Sequence, residues 1–137
     1  MSIDFSDELI IAKKAAKKAG LFLKKNKPTL NKVISSTHKD IKLKADLEAE
    51  NIIKEIISSD SNIPMLAEES GMSTDVLLDY LWVIDPLDGT ANYARDIPIC
   101  CVSIALVSGL KPLLGVIYDF NNDALYEGSV GSQAACN

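Results

Sequence analysis

The chain has few of the residues that build disulfide-rich, zinc-binding or membrane-spanning proteins. Three cysteines and one histidine occur among 137 residues. Cys100 and Cys101 are adjacent and Cys136 stands apart, so there is no spaced disulfide framework, and His38 has no partner histidine for a zinc site. No apolar run is long enough to cross a bilayer, and the acidic start MSIDFSDELI lacks the regions of a signal peptide. We therefore expect a cytoplasmic protein with free thiols and no membrane partner.

Positive charge is scarce over most of the chain. Residues 45–137 hold two lysines and one arginine against fifteen acids, a net charge of −12, whereas residues 1–44 hold eleven lysines and four acids, a net charge of +7. No aromatic residues interleave the lysines, so a solvated helix face explains them better than a nucleic-acid site, and we do not expect nucleic acid as a partner. The acidic remainder should repel phosphate unless cations intervene.

Hydrophobic periodicity predicts two helices near the amino terminus. Apolar residues at three- and four-residue steps predict an amphipathic helix over 4–25 and a second over 46–58, with Asp46 as the N-cap. The polar stretch 26–42 is interpreted as a loop with room for a short strand. A chain of 137 residues with 47% apolar content can form one domain with a real core, over 1–137.

The second half of the chain predicts strands. Short apolar and β-branched runs predict strands at the five places that follow. They are 65–67, 80–84, 97–109, 113–119 and 124–130, with turns at 110–112 and 121–123. Two leading helices followed by a meander predict an α+β fold, in which the helices pack on a largely antiparallel sheet.

The stretch DPLDGT at 85–90 follows one of these strands and carries two carboxylates. Pro86 fixes its own backbone and biases Asp85 toward an extended conformation, so the chain leaves the strand in a defined direction. A tight turn can then bring Asp85, Asp88 and the carbonyl oxygen of Leu87 toward one point, and Mg²⁺ prefers such oxygen ligands. The following TANYA could open a short helix whose free N–H groups suit a phosphate.

A plain β-turn is the alternative, because Asp-Pro and Asp-Gly are turn signals in their own right. Glu68 and Glu69 favour the metal site, since they end a separate short strand. If that strand pairs with the strand before Asp85, three or four carboxylates meet in one pocket. Like charges at that distance raise one another's pKa, and divalent ions would relieve the repulsion.

The combination AEES at 67–70 and WVIDPLDGTANY at 82–93 resembles the inositol monophosphatase family, within a wider group of Mg²⁺-dependent, lithium-sensitive phosphatases. That family has a Glu-Glu pair and then Trp-x-x-Asp-Pro-x-Asp-Gly-Thr-x-Asn-aromatic. Every named position matches: Glu68, Glu69, Trp82, Asp85, Pro86, Asp88, Gly89, Thr90, Asn92 and Tyr93. The resemblance covers the whole chain and is to the N-terminal half of a layered α/β sandwich.

The resemblance implies hydrolysis of a phosphate monoester, with inositol monophosphate or a related sugar phosphate as the substrate. It implies roughly two or three Mg²⁺ ions and inhibition by lithium. The implied metal ligands are Glu68, Asp85, the Leu87 carbonyl and Asp88. The implied catalytic residues are Glu68, Thr90 and Asp46, and the implied substrate-binding residues are Asp88, Gly89 and Thr90.

The chain departs from the family pattern in two places. Leu43 and Lys44 stand where relatives carry a threonine-containing stretch, so Asp46 could be a metal-supporting acid or only a helix cap. Relatives are also much longer, and their second half carries a Trp-Asp-x-Ala-x-Gly motif with a further ligand that this chain lacks. We therefore also consider a non-catalytic metal- or partner-binding module. Where the second half of a relative would pack, this chain should expose apolar surface, and we expect a homodimer to form through that surface.

Overall fold

A computed structural model describes residues 3–30, 33–36, 41–72, 79–109 and 111–137. His38 and the start of the predicted turn at 110 lie outside these residues. Within the described part, no helix is long and apolar enough to cross a membrane. The three cysteines are free thiols, as the sequence predicted.

The two predicted helices are confirmed, with slightly different ends. Helix α1 spans Ser6–Lys25 and helix α3 spans Lys44–Asp60. Each buries one face, which in α1 consists largely of alanines and in α3 includes the acids Asp46 and Glu50 beside apolar side chains. Small side chains let the two helices approach each other and the sheet closely. Gly20 takes this furthest, because a Cβ atom there would overlap the ring of Tyr118.

The prediction that Asp46 is the N-cap of the second helix is wrong. Helix α3 begins at Lys44, so Leu43 holds the cap position and Asp46 is the third helical residue. From there its Oδ2 atom accepts a hydrogen bond from the backbone N–H of Leu43 at 2.9 Å. An acid at the third helical position can thus reach back and accept a hydrogen bond from the amide of the N-cap residue. The sequence alone did not distinguish this arrangement from one in which Asp46 is itself the N-cap.

The polar stretch 26–42 is more structured than predicted. It contains a short helix, α2 at Lys27–Leu30, and the strands β1 at Val33–Ser36 and β2 at Ile41–Leu43, which pair antiparallel. The short strand allowed for in this stretch is thus present, with a partner. Pro28 lies in the first turn of α2, where a missing N–H costs nothing.

Seven strands form the main sheet. They are β3 (Met65–Ala67), β4 (Gly71–Met72), β5 (Tyr80–Asp88), β6 (Cys101–Ser108), β7 (Lys111–Asp119), β8 (Ala124–Ser129) and β9 (Ala135–Cys136). Their order is β4-β3-β5-β6-β7-β8-β9, and the pair β3–β5 is parallel while the other pairs are antiparallel. A short helix, α4 at Thr90–Ala94, follows β5. The predicted α+β fold with a largely antiparallel sheet is confirmed.

Strand limits differ from the prediction at the two strands nearest the acid cluster. Strand β5 continues through Asp88 rather than stopping at residue 84, and β6 begins at Cys101 rather than at residue 97. The first change follows from burial of Leu87, which keeps that part of the chain against the core. The second is consistent with Pro98, which has no N–H to give to a ladder.

The sheet has an inner face covered by helices and an outer face without them. Alternate residues of the central strands point inward and are buried against α1 and α3, as Trp82, Ile84, Val102, Ile104, Leu106, Leu114, Val116 and Tyr118 do. The residues between them point outward. Leu66, Ile117 and Tyr126 are 38%, 46% and 50% exposed there, so the outer face carries the apolar surface expected from the sequence. The homodimer stays a prediction.

Candidate metal and phosphate site

A β-bulge places Asp85 and Asp88 on the same face of the sheet. Side chains three residues apart in a regular strand point to opposite faces. Here Asp85 lies opposite Ser103 and Asp88 lies opposite Cys101, so β5 has one more residue than β6 between the two pairs. The extra residue falls at Pro86–Leu87, where proline cannot donate a ladder hydrogen bond. Both carboxylates therefore stand on the outer face.

The parallel pairing of β3 with β5 brings Glu68 beside Asp85. The register aligns Ala67 with Ile84, and the backbone N–H of Glu68 continues it by donating to the Ile84 carbonyl at 3.1 Å. The Glu68 and Asp85 carboxyl groups are within hydrogen-bonding contact. This contact, together with partial desolvation of the Glu68 carboxyl group and the charge of Asp85, raises the pKa of Glu68 to about 8. Two carboxyl groups so close cannot both carry charge cheaply without a proton or a cation between them.

Asp88 stands apart from this pair. Its side chain is exposed, and its Oδ2 atom lies 3.8 Å from the thiol sulfur of Cys101. Within the described ranges, no three Asp, Glu, Cys or His side chains converge closely enough to hold a metal ion as they stand. The structure therefore brings together Glu68 and Asp85, and it places Asp88 on the same face without joining it to them.

Thr90 and Asp46 form a second polar contact next to the bulge. The Thr90 hydroxyl oxygen lies 2.8 Å from Oδ1 of Asp46 and 3.0 Å from the Leu87 carbonyl oxygen. A hydroxyl has one proton, so it can donate fully to only one of these acceptors. Burial raises the pKa of Asp46 to about 6, against the opposing effect of the hydrogen bonds from Leu43 and Thr90. The predicted catalytic residues Thr90 and Asp46 are thus in direct contact.

The rest of the motif fixes the backbone after the bulge. Gly89 has a φ of +88°, and a Cβ atom there would lie 2.8 Å from the Ile99 carbonyl oxygen, so only glycine fits. Asn92 donates from its side-chain amide to that same carbonyl at 2.7 Å. Tyr93 is buried and donates its hydroxyl to the Leu23 carbonyl at 2.8 Å, which ties α4 to α1. These residues hold the site's shape.

Two neighbours of the site were missed by reasoning from the sequence. Glu50 is 2% exposed, and its Oε1 atom accepts a hydrogen bond from the backbone N–H of Glu69 at 2.8 Å. Cys101 lies against Asp88. The only signal for Glu50 was its position one helical turn after Asp46, and Cys101 had no signal beyond its strand.

The donor chemistry of the site fits a hard divalent cation. A cleft of about 450 Å³ opens on the outer face at the Glu68–Asp85 pair. Its lining includes Leu66, Glu68, Gly71, Val83, Asp85 and Ser103. The charged donors in and beside the cleft are carboxylates, which are the ligands that Mg²⁺ and Ca²⁺ prefer. A cation between Glu68 and Asp85 would take the place of the proton that the pair otherwise needs.

Comparison with known proteins identifies the family to which the chain is similar. The family model described as the inositol monophosphatase family matches residues 5–137. Nus factor SuhB of Xylella fastidiosa is 39% identical over 127 residues, which are 90% of this chain and 46% of that protein. The fructose-1,6-bisphosphatase/inositol-1-monophosphatase of Aquifex aeolicus is 38% identical over 137 residues, with coverage of 94% and 50%.

A solved structure gives the same result for the fold. The inositol monophosphatase from Anabaena (Nostoc) sp. PCC 7120 matches with a TM-score of 0.84 and 38% identity, covering 98% of this chain and 48% of that one. The chain spans about half the length of the relatives it matches, as its resemblance to the N-terminal half predicted. With the motif, the fold and the family model in agreement, the chain belongs to the inositol monophosphatase family.

Proposed function

We propose that the chain acts in Mg²⁺-dependent hydrolysis of a phosphate monoester, with inositol monophosphate or a related sugar phosphate as the substrate. The observation that carries the proposal is the contact between the Glu68 and Asp85 carboxyl groups at a cleft on the outer face. We propose that residues 1–137 act as one domain in this reaction.

The proposed metal ligands are Glu68, Asp85, Asp88 and the Leu87 carbonyl oxygen. In such sites Mg²⁺ polarises the phosphoryl oxygens and lowers the pKa of a bound water. Glu68 and Asp85 already lie together, and Asp88 would have to turn from Cys101 to join them. The Leu87 carbonyl becomes available when the Thr90 hydroxyl donates to Asp46 instead. Roughly two or three ions and inhibition by lithium follow from family membership and are part of the proposal.

The proposed catalytic residues are Thr90, Asp46 and Glu68. A water hydrogen-bonded to the Thr90 hydroxyl could give up a proton as Thr90 passes its own to Asp46, whose carboxylate is 2.8 Å away. Glu68 would hold the same water from the side of the carboxylate pair. We propose that Asp88 and the backbone N–H groups of Gly89 and Thr90 contact the substrate, since the left-handed turn at Gly89 leads directly into α4.

A second candidate is a non-catalytic metal- or partner-binding module of the same fold. The position of Asp88, held against Cys101 rather than beside Glu68 and Asp85, favours it. A module of this kind would bind Mg²⁺ without turnover. The prediction that nucleic acid is not a partner rests on charge patterning alone. The relatives named Nus factor SuhB give it no support. A cytoplasmic location and a homodimer are likewise predictions.

The experiment that separates the candidates measures phosphate release and metal binding on the same samples. We expect release of phosphate from inositol monophosphate that requires Mg²⁺, and its loss in Glu68→Gln. Binding of Mg²⁺ without release would support the module. If the chain neither binds Mg²⁺ nor releases phosphate, both candidates are contradicted. Glu55→Gln, which changes an exposed acid of α3, is the matched control and should behave as the parent chain.

A further inference from the structure

We propose that Glu50 is a positioning residue that fixes the Glu68–Glu69 corner for metal binding, an inference that rests on the proposed function. Glu50 is 2% exposed, and its Oε1 atom accepts the backbone N–H of Glu69 at 2.8 Å. Asp46 and Glu50 are the buried charged residues of the described part of the chain. Asp46 contacts Thr90, which leaves Glu50 as the buried acid without a role in the proposed reaction.

On the β5 side the corner has little support, because β3 is only three residues long; on its other side Ala67 pairs with Gly71 of β4. The last ladder contact joins the Glu68 N–H to the Ile84 carbonyl at 3.1 Å, and the chain then turns away from β5. The Glu68 side chain is exposed, so packing does not fix its direction. Its aim toward Asp85 therefore depends on the backbone on either side of it. The Glu50 contact holds the next amide in the chain.

Burying the carboxyl group of Glu50 costs free energy, so its presence at this position needs an explanation. A buried carboxyl group is unfavourable unless hydrogen bonds satisfy it, and other acids already crowd this region. An apolar side chain would pack into α3 with no such cost. The Glu69 amide supplies the compensating hydrogen bond, and the corner gains a fixed point on a rigid helix.

Helix α3 contacts the strand ends through a series of residues four apart. Asp46, Glu50 and Lys54 lie on one face of the helix, which we call the α3 polar stripe. Asp46 contacts Thr90 after β5, Glu50 contacts Glu69 after β3, and Lys54 donates to the Ser70 hydroxyl at 3.0 Å. The stripe thus spans both segments that supply the proposed ligands. Glu50 is its central member and is as deeply buried as Asp46, whereas Lys54 and Ser70 meet at the surface.

The test uses variants that separate the hydrogen bond from the charge. Glu50→Gln keeps an acceptor oxygen at the same reach and removes the charge. Glu50→Asp keeps the charge but is shorter by one methylene group, so it cannot reach the Glu69 amide at the observed distance. Glu50→Ala removes both, and Glu55→Ala on the exposed side of α3 is the control.

Two readouts apply to the full chain. Mn²⁺ affinity, measured from the electron paramagnetic resonance signal of the free ion, should fall ~10-fold or more in Glu50→Ala and Glu50→Asp, as for other partners behind metal ligands. It should be unchanged in Glu50→Gln and Glu55→Ala. Hydrogen exchange at the Glu69 amide should speed up in Glu50→Ala and Glu50→Asp and stay slow in Glu50→Gln.

The outcomes distinguish this inference from the proposed function. If the parent chain binds Mn²⁺ and Glu50→Ala and Glu50→Asp bind it equally well, the inference is overturned while the proposed metal site stands. If Glu50→Gln loses as much affinity as Glu50→Ala, charge rather than the hydrogen bond matters, and the inference is again overturned. If Glu50→Ala does not fold, equal affinities in Glu50→Gln and Glu50→Asp overturn it. A parent chain that binds no Mn²⁺ would overturn the proposed metal site and this inference together.

Discussion

The inner and outer faces of the sheet are built from the same strands and differ in almost every physical respect. The inner face is closed by α1 and α3 and is apolar, with Trp82 and Ile84 of β5 fully or almost fully buried. The outer face of that strand carries Asp85 and Asp88 beside an open cleft. Strict alternation along β5 would have sent one of those two acids inward. The bulge at Pro86–Leu87 keeps both out, so one irregularity protects the core and concentrates the acids.

The comparison also shows how the faces depend on each other. Of the proposed carboxylate ligands, Glu68 and Asp88 are exposed and Asp85 is half-buried, yet the side chains that support this region are buried: Glu50 and Asp46 of α3, and Tyr93 of α4. Substitutions on the inner face should therefore change stability first. Substitutions on the outer face should change metal binding with little effect on stability.

The largest effect should come from Trp82→Ala on the inner face. Trp82 is fully buried, and its indole N–H donates to the Ser61 hydroxyl at 3.2 Å. Truncation of a buried tryptophan costs about 3–5 kcal/mol of unfolding free energy. Urea unfolding followed by circular dichroism would measure it, because Trp82 is the only tryptophan and the variant loses its fluorescence. A loss no greater than that in Ser61→Ala would show that the ring is not part of the core.

Much of this division was predictable from the sequence because local pattern determines it. Apolar periodicity predicted α1, α3 and the meander. The Glu-Glu pair and the Asp-Pro-x-Asp-Gly-Thr motif predicted that acids gather where β3 and β5 end. The bulge was not predictable, because it depends on burial of Leu87 and on the register with β6. The role of Glu50 depends on a contact across 19 residues, which no local pattern contains.

A smaller effect is expected from Gly20→Ala, which tests how closely α1 packs on the inner face. The new methyl group would overlap the Tyr118 ring and lie near Phe120. Overpacking of this kind costs about 1–3 kcal/mol. Gly115→Ala on β7 is the matched control, because no neighbouring atom lies within 4 Å of the position that its Cβ atom would take, and its effect should be near zero. Equal thermal stability of the two variants would mean that α1 can shift freely.

Tyr93→Phe should have a moderate effect on stability. It tests whether this motif residue supports the fold or takes part in metal binding. The variant loses only the hydrogen bond from the hydroxyl to the Leu23 carbonyl. We expect a loss of about 0.5–1.5 kcal/mol in unfolding free energy, with Mn²⁺ affinity unchanged. A large drop in affinity with full stability would instead place Tyr93 among the binding residues.

The smallest effect on stability is expected from Asp85→Asn. Removing one of two acids in contact relieves repulsion with Glu68, so the metal-free chain should unfold within about 0.5 kcal/mol of the parent. Chemical unfolding in a chelator would measure this value. A destabilisation as large as that of Trp82→Ala would show that Asp85 belongs to the core.

The same variant gives the most direct test of the central claim, that the Glu68–Asp85 pair on the outer face holds a divalent cation. The measurement is calorimetric titration of Mg²⁺ into the parent chain, into Asp85→Asn, and into Ser103→Ala as a control from the same cleft. We expect binding by the parent chain and by Ser103→Ala, with a loss of ~10-fold or more in affinity for Asp85→Asn. Equal Mg²⁺ affinity in the parent chain and Asp85→Asn would contradict the claim.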